Sequence, residues 1–396
     1  MPRTAHRRAQ HPRSSPSRRP PPPQLPDRRH RSLNTNAGPI HGGLSRSVVM
    51  TGLRGVGKTV LLNELAQSAT GEGWIVGKVE ADRSEGRRTF REQVAATLNR
   101  ALREVTGSAD LAGRFRRALA TFKSFSLKTD PSGGLAIGIE IDSERGRGDT
   151  GSLETDLTDL ALDLSAAAAD LGVGVALFVD ELQDLTRPEL AAVCQACHEA
   201  GQRGAQFYVV GAGLPSLPGA LAEAKSYAER LFDYWTIGAL DPSSAADALV
   251  EPATAASVDW DEAAVRLVTE RAEGYAYFLQ EFGKATWDFA PGPHITAEDA
   301  AIGVQAGTAS LDRGFFTSRW ERATPSERGY MIAMAADGAG PSQSGDVARR
   351  LGKQSTSVGP TRAGLINKGL VYAPQHGVVA FTVPGMADFI SRQPRQ

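Results

Sequence analysis

Cysteine is almost missing from this chain: among 396 residues only Cys194 and Cys197 carry a thiol. Two thiols cannot build the disulfide framework of a small secreted domain. They lie in AAVCQACHEAG, inside a stretch expected to be a helix over 188–201. The string C-x-x-C-H matches a haem-attachment pattern, but with no thioredoxin-like or secretory context two reduced thiols one helical turn apart are the expectation. Long apolar runs are missing too. No segment reaches the ~18 apolar residues of a membrane span. The Arg-rich N-terminus has no apolar h-region, so no secretory signal is expected. A soluble, cytoplasmic protein with no membrane partner follows as the expectation.

Charge of one overall sign is also absent, the formal net being −1. A generally basic nucleic-acid coat is thereby excluded. The distribution is uneven, however: residues 1–32 hold nine Arg against Asp27 alone, which leaves the rest mildly acidic. Residues 1–45 include RRPPPPQLPDRRHR and a Gly42-Gly43 joint. Such an Arg/Pro-rich segment cannot build a core and is expected to be a disordered tail.

What is present begins at residue 48. Val48, Val49 and Met50 suit a buried parallel strand. Gly52-Leu53-Arg54-Gly55-Val56-Gly57-Lys58-Thr59 then fits G-x-x-x-x-G-K-[ST]. Leu61, Leu62, Leu65, Ala66 and Ala69 follow on one helical face. Glycines let the backbone turn tightly and approach a ligand closely. The N–H groups and the helix N-terminus then favour an anion. Gly52, Arg54, Gly55, Val56, Gly57, Lys58, Thr59 and Val60 are the candidate contacts to ATP. Lys58 would reach the β- and γ-phosphates, and the Thr59 hydroxyl would ligate Mg²⁺.

A second stretch, GVALFVDELQDL at 174–185, supplies carboxylates. Val175 to Val179 are all apolar, as in a central strand, and ligands of open α/β sheets sit at strand C-termini. Asp180 is therefore placed to hold Mg²⁺ through water, and Glu181 to orient or deprotonate an attacking water.

Strands expected at 74–82, 205–213 and 234–240 alternate with helices near 88–106, 110–124 and 153–171, with a possible short strand at 135–141. This pattern gives an α/β fold, a P-loop NTPase parallel sheet with helices on both faces. After Asp241-Pro242 the strand signal stops, and 242–312 reads as a small all-α lid. Residues 322–392 read as helix, helix-turn-helix and a hairpin turning at 374–377, a winged-helix pattern. The units are then a tail (1–45), a nucleotide-binding domain (46–241), the lid and the winged helix.

With GLRGVGKT, LFVDELQDL, GAGLPSL, AERLF, GYAYFLQEFGKATW and GLVYAPQHGVVAFTVPGMADFI on the page, the chain resembles AAA ATPases of the origin-recognition-like branch. The resemblance covers about 46–392. It implies Mg²⁺-dependent hydrolysis of ATP to ADP and phosphate. It implies that Arg230 acts as an arginine finger toward a neighbouring subunit, hence a homo-oligomer in ATP. It also implies a polar γ-phosphate sensor at the end of FYVVGAG, where only Gly211-Ala212-Gly213 stands. A second sensing Arg would head a lid helix, where Tyr275 and Tyr277 stand instead. The segment that helps hold adenine in such proteins has no counterpart in residues 1–45.

Three functions remain open: an ATP-driven switch, an ATP-binding DNA regulator with little hydrolysis, and a signalling or defence interaction module. Small-molecule kinase activity is weaker, since nothing resembles an acceptor site. Arg349, Arg350, Lys353, Arg362 and Lys368 face only Asp346 across 344–372. This local excess favours duplex DNA as the winged-helix partner, held mainly through phosphates.

Overall fold

The computed structural model describes residues 46–82, 89–106, 113–127 and 148–393. The expected tail and the possible strand at 135–141 lie outside these residues.

Five parallel strands form one sheet: β1 (Ser47–Thr51), β2 (Ile75–Glu80), β3 (Val175–Asp180), β4 (Phe207–Gly213) and β5 (Phe232–Thr236), in the order β2-β3-β4-β1-β5. The last starts earlier than the sequence suggested. Successive side chains of a strand point to opposite faces, and each face here has its own cover. Val48, Met50, Ala176, Phe178, Val210 and Ala212 pack with Leu62, Leu65, Ala66 and Ala69 of α1 (Lys58–Gly71). Val49, Ile75, Val79, Leu177 and Val209 pack on the other side. Its covering helices are α2 (Phe90–Thr106), α3 (Gly113–Leu127), α4 (Leu153–Asp170) and α5 (Arg187–Gln202). Uniformly apolar strands are thus explained by burial on both faces. In α5 a Thr186/Glu189 capping box sets the start and Pro188 sits in the first turn. Cys194 and Cys197 are free thiols buried on this helix.

After a short helix, α6 (Leu217–Ala224), and β5, the chain becomes mostly helical. It runs α7 (Pro242–Ala255), β6 (Asp259–Trp260), α8 (Glu262–Ala272), α9 (Ala276–Phe289), β7 (His294–Ile295) and α10 (Ala297–Leu311). β6 and β7 form a two-residue parallel bridge that the all-α reading did not foresee. α9 and α10 touch almost backbone to backbone: a Cβ on Gly303 would fall 2.2 Å from Thr286 Oγ1, and one on Gly307 2.7 Å from Phe282.

From α10 the chain stays helical, through a π-helical turn at Asp312–Phe316 into α11 (Thr317–Glu321). Then come α12 (Pro325–Ala335), β8 (Ser342–Gln343), α13 (Ser344–Arg350), α14 (Gly359–Asn367), β9 (Val371–Tyr372), β10 (Val378–Phe381) and α15 (Met386–Arg392). β9 and β10 make the expected antiparallel hairpin, and β8 adds a third strand on the other side of β10. One apolar cluster joins the helical region to this C-terminal unit, through Phe278, Phe316, Tyr330, Leu365, Val379 and Phe389, and it includes Val56 of the glycine loop. No helix among the described residues is long and apolar enough to cross a membrane.

Candidate functional site

The glycine loop leaves the C-terminal end of β1 and enters α1 at Lys58. Gly55 (φ 85°) and Gly57 (φ 97°) adopt left-handed backbone, which side-chain-bearing residues rarely do. A Cβ on Gly52 would lie 2.2 Å from the Ile237 carbonyl oxygen. Because the first N–H groups of a helix lack partners within it, the turn presents donors at the start of α1. Lys58 is 7 % exposed. Its Nζ donates to the Gly52 carbonyl at 3.0 Å and the Leu53 carbonyl at 2.8 Å. Burial lowers its pKa, against the opposing pull of Glu181 and Asp180. A bound polyphosphate would compensate that buried cation. Val60, 47 % exposed, sits beside the loop in the first turn of α1.

β4 lies between β1 and β3, so Asp180 stands two strand spacings from the loop, about 10 Å. Thr59 spans the gap, its hydroxyl donating to Asp180 Oδ2 at 2.7 Å. Asp180 Oδ1 accepts the Glu181 N–H at 2.9 Å. Among the described residues no group of three or more His, Cys, Asp or Glu could hold a metal. The pair Thr59 and Asp180 fits Mg²⁺, which typically takes one or two protein oxygens and fills its octahedron with phosphate and water.

Glu181 has φ 48° and ψ 40°, a left-handed conformation that is costly for a non-glycine residue. The turn re-aims its carboxylate after the strand, and Oε2 accepts a bond from Gln183 Nε2 at 2.6 Å. Gln183 Oε1 in turn accepts the Leu214 N–H, just beyond β4, at 3.0 Å. Sequence reasoning missed Gln183. It explains the small residues of β4: a Cβ on Gly213 would fall 2.5 Å from Gln183 Oε1, and one on Gly211 2.7 Å from Leu182. The Gln183 side chain thus lies at the end of β4, where the strand carries no polar side chain of its own. The signal available was a Gln two residues after Glu181, opposite a glycine-rich strand end.

The loop is also gripped from two other directions. Tyr277 N–H, in the first turn of α9, donates to the Gly55 carbonyl at 3.1 Å. Arg54 N–H donates to the Thr382 carbonyl, just after β10, at 3.3 Å. Arg230 is exposed on a short turn before β5. It lies at the opposite end of the sheet from the loop, about 15 Å along the strand direction, and so away from its own Lys58.

The expected basic face of the C-terminal unit is largely engaged internally. Arg350 bonds the Asp337 carboxylate and the Ala333 carbonyl. Arg362 donates to the Val378 carbonyl at 3.1 Å. Lys368 donates to Glu327 at 2.6 Å and to the Arg322 carbonyl at 3.0 Å. Arg349, 79 % exposed, pairs only with Asp346 one helical turn away.

Residues 27–210 match the family model described as AAA ATPase domain. Residues 313–390 match a second, described as Domain of unknown function (DUF8462). No curated protein matches the chain. Among solved structures, the Walker-type ATPase PABY2304 of Pyrococcus abyssi is similar at TM-score 0.57 and 14 % identity, over 87 % of this chain and 90 % of that one. The RuvB Holliday junction branch migration motor of Thermotoga maritima aligns at TM-score 0.43 and 15 % identity, over 88 % and 89 %. The ORC1 protein of Aeropyrum pernix in complex with DNA aligns at 0.41 and 15 %, over 88 % and 87 %. At these identities the first match speaks to fold, and the other two carry no argument. Loop and strand order agree with the match to the AAA ATPase domain model over residues 27–210, and the fold there is a P-loop parallel sheet with flanking helices.

Proposed function

We propose that this chain is a Mg²⁺-dependent ATPase working as a nucleotide-driven switch. The observation that carries the reading is the bridge from Thr59 on the glycine loop to Asp180 on β3, with Glu181 beside it. Gly52, Arg54, Gly55, Val56, Gly57, Lys58, Thr59 and Val60 hold the ATP, the backbone donors and Lys58 taking the phosphates. Thr59 and Asp180 hold Mg²⁺, which supplies neutralisation of the charge that develops on the phosphates. Glu181 takes the proton of the attacking water, and Gln183 fixes the Glu181 carboxylate for that role. Arg230 serves a neighbouring copy's site, in a homo-oligomer formed in ATP.

The same loop meets the lid through Tyr277 and the C-terminal unit through Thr382. Phosphate binding that shifts the loop therefore bears on both. Residues 322–392 form a winged helix in this reading, and its direct output is to hold or release the loop. Contact with duplex DNA is a second reading, favoured by the exposure of Arg349. With Arg350, Arg362 and Lys368 bonded internally, that contact is weak and rests on few phosphates. Steady-state hydrolysis measured with Mg²⁺, with EDTA and with added duplex DNA tests the whole. Hydrolysis that needs Mg²⁺ and fails in Lys58→Ala is expected. A folded Lys58→Ala variant that binds and hydrolyses ATP normally would overturn it.

A further inference from the structure

The helical lid and the C-terminal unit meet the glycine loop at a cluster of polar side chains in which two buried groups have no hydrogen-bond partner. The Tyr275 side chain is 3 % exposed, and its hydroxyl is buried without a partner. That hydroxyl lies 2.5 Å from where a Cβ on Gly55 would be. Arg54 Nε is likewise buried without a partner. The Arg54 guanidinium lies against Gly369, whose hypothetical Cβ would be 3.1 Å from its Nη2.

The third member comes from α11. Arg319 stacks its guanidinium on the Phe315 ring at 3.7 Å and donates one N–H to the Phe315 carbonyl at 2.8 Å. Tyr277 stacks on the same ring at 4.8 Å between centroids. The π-helical turn at Asp312–Phe316 is what brings Phe315 here, and such turns recur at functional sites. Burial, then the charge of Arg54, push the Arg319 pKa down; Tyr275, Tyr277 and Arg322 are the other groups it feels, and none is a carboxylate.

Two buried orphan donors and two guanidinium groups without an acid describe a site whose missing partner is an acceptor-rich anion. An unmade hydrogen bond at a buried donor is costly, so a complementary oxyanion would recover both losses at once. Planar guanidinium forks suit phosphate oxygens in particular. We propose that Arg54, Arg319 and Tyr275 form a phosphate subsite at the junction of loop, lid and C-terminal unit. Its ligand is a phosphoryl oxyanion, either the terminal phosphate of the loop-bound nucleotide or a free phosphate. The proposal rests on nucleotide binding by the loop, and it makes the subsite a reader of phosphate number.

Three probes on the full chain test it: a non-hydrolysable ATP analogue with Mg²⁺, ADP with Mg²⁺, and ADP with inorganic phosphate added. For the terminal-phosphate source, Arg319→Ala weakens the analogue by about tenfold, the worth of one charge-assisted contact, and ADP by less than about twofold. For the free-phosphate source, the analogue is unchanged, but inorganic phosphate raises the melting temperature of the wild type and not of Arg319→Ala. Equal behaviour of wild type and variant with all three probes overturns the subsite. If the wild type binds neither nucleotide, the loop reading fails instead, a distinct result. Should Arg319→Ala misfold, Tyr275→Phe removes only the orphan hydroxyl. It is expected to melt no lower without ligand and to lose about threefold in affinity for the oxyanion-bearing probe; unchanged affinity there is equally fatal.

Discussion

Thr59 and Asp180, 121 residues apart in the chain, share a 2.7 Å hydrogen bond across the end of β4. The bond holds a hydroxyl and a carboxylate as a ready oxygen pair for a small divalent cation. Thr59→Ala and Asp180→Ala should each raise the Mg²⁺ concentration for half-maximal hydrolysis by about tenfold or more, while metal-free ADP binding changes little. Magnesium titrations of the ATPase rate check this. An unchanged Mg²⁺ requirement in both variants would remove the pair from the metal site.

Glu181 and Gln183 should separate into different roles. Glu181→Gln leaves ATP bound but slows single-turnover hydrolysis by ~10²-fold, the usual contribution of a general base. Gln183→Leu removes the donor to Glu181 Oε2 and the acceptor for Leu214. It should slow turnover by about tenfold, since the Glu181 carboxylate loses the hydrogen bond that fixes its orientation. A Gln183 variant with the wild-type rate would make Gln183 a strut only.

Gly55 should tolerate no side chain. Alanine there meets both the positive φ and the Tyr275 hydroxyl. A strained residue of this kind costs about 1–3 kcal/mol. Gly55→Ala should melt lower and bind ATP more weakly, whereas Gly71→Ala, with open space around it, should do neither. Thermal melts with and without nucleotide decide it.

Lys368 is expected to act on stability, not on DNA. Its partner Glu327 is 5 % exposed, and Lys368 is itself only a third exposed. Burial alone would raise the Glu327 carboxyl; the bonds from Lys368 and Thr324 outweigh it and hold the pKa below the usual value. The stabilisation is then fully present above the unfolded carboxylate pKa, about 4.3, and is lost as pH falls through the lower folded value. Lys368→Met should cost about 1–3 kcal/mol at neutral pH, less than for a fully buried pair. The melting gap to wild type should narrow as pH falls below the unfolded carboxylate value and through the lower folded one. A gap that persists in acid would assign the loss to packing alone.

The thiols should be silent. Burial pushes Cys194 and Cys197 each up to about 12, so thiolate is scarce at neutral pH. A thiol reagent should label neither in the native protein and both after denaturation. Labelling in the native state, or an ATPase rate that responds to oxidants, would contradict this.

The phosphate loop and the carboxylate strand were legible because their chemistry is local: five to eight consecutive residues fix both the turn and the side chains. Strand order was not, since β4 lies between β1 and β3 only by long-range pairing. Gln183 escaped for the same reason, its meaning depending on a glycine 30 residues further on that meets it in space. The basic residues at 349–368 looked available because charge can be read from sequence and an internal partner cannot: Asp337, Glu327 and the Val378 carbonyl all come from other elements. The cation beside Tyr275 and Tyr277 was likewise invisible, for Arg319 lies beyond a π-helical turn that no periodicity announced.

Gly303 and Gly307 set α10 so close to α9 that the two helices leave no room to slide or splay. Tyr277 heads one helix, Phe315 follows the other, and the two rings are stacked. In mechanical terms the hairpin is a splint about 20 Å long. At one end of it Tyr277 and Arg319 stack on the same Phe315 ring, so a displacement of Tyr277 by the glycine loop should reach Arg319 through that ring.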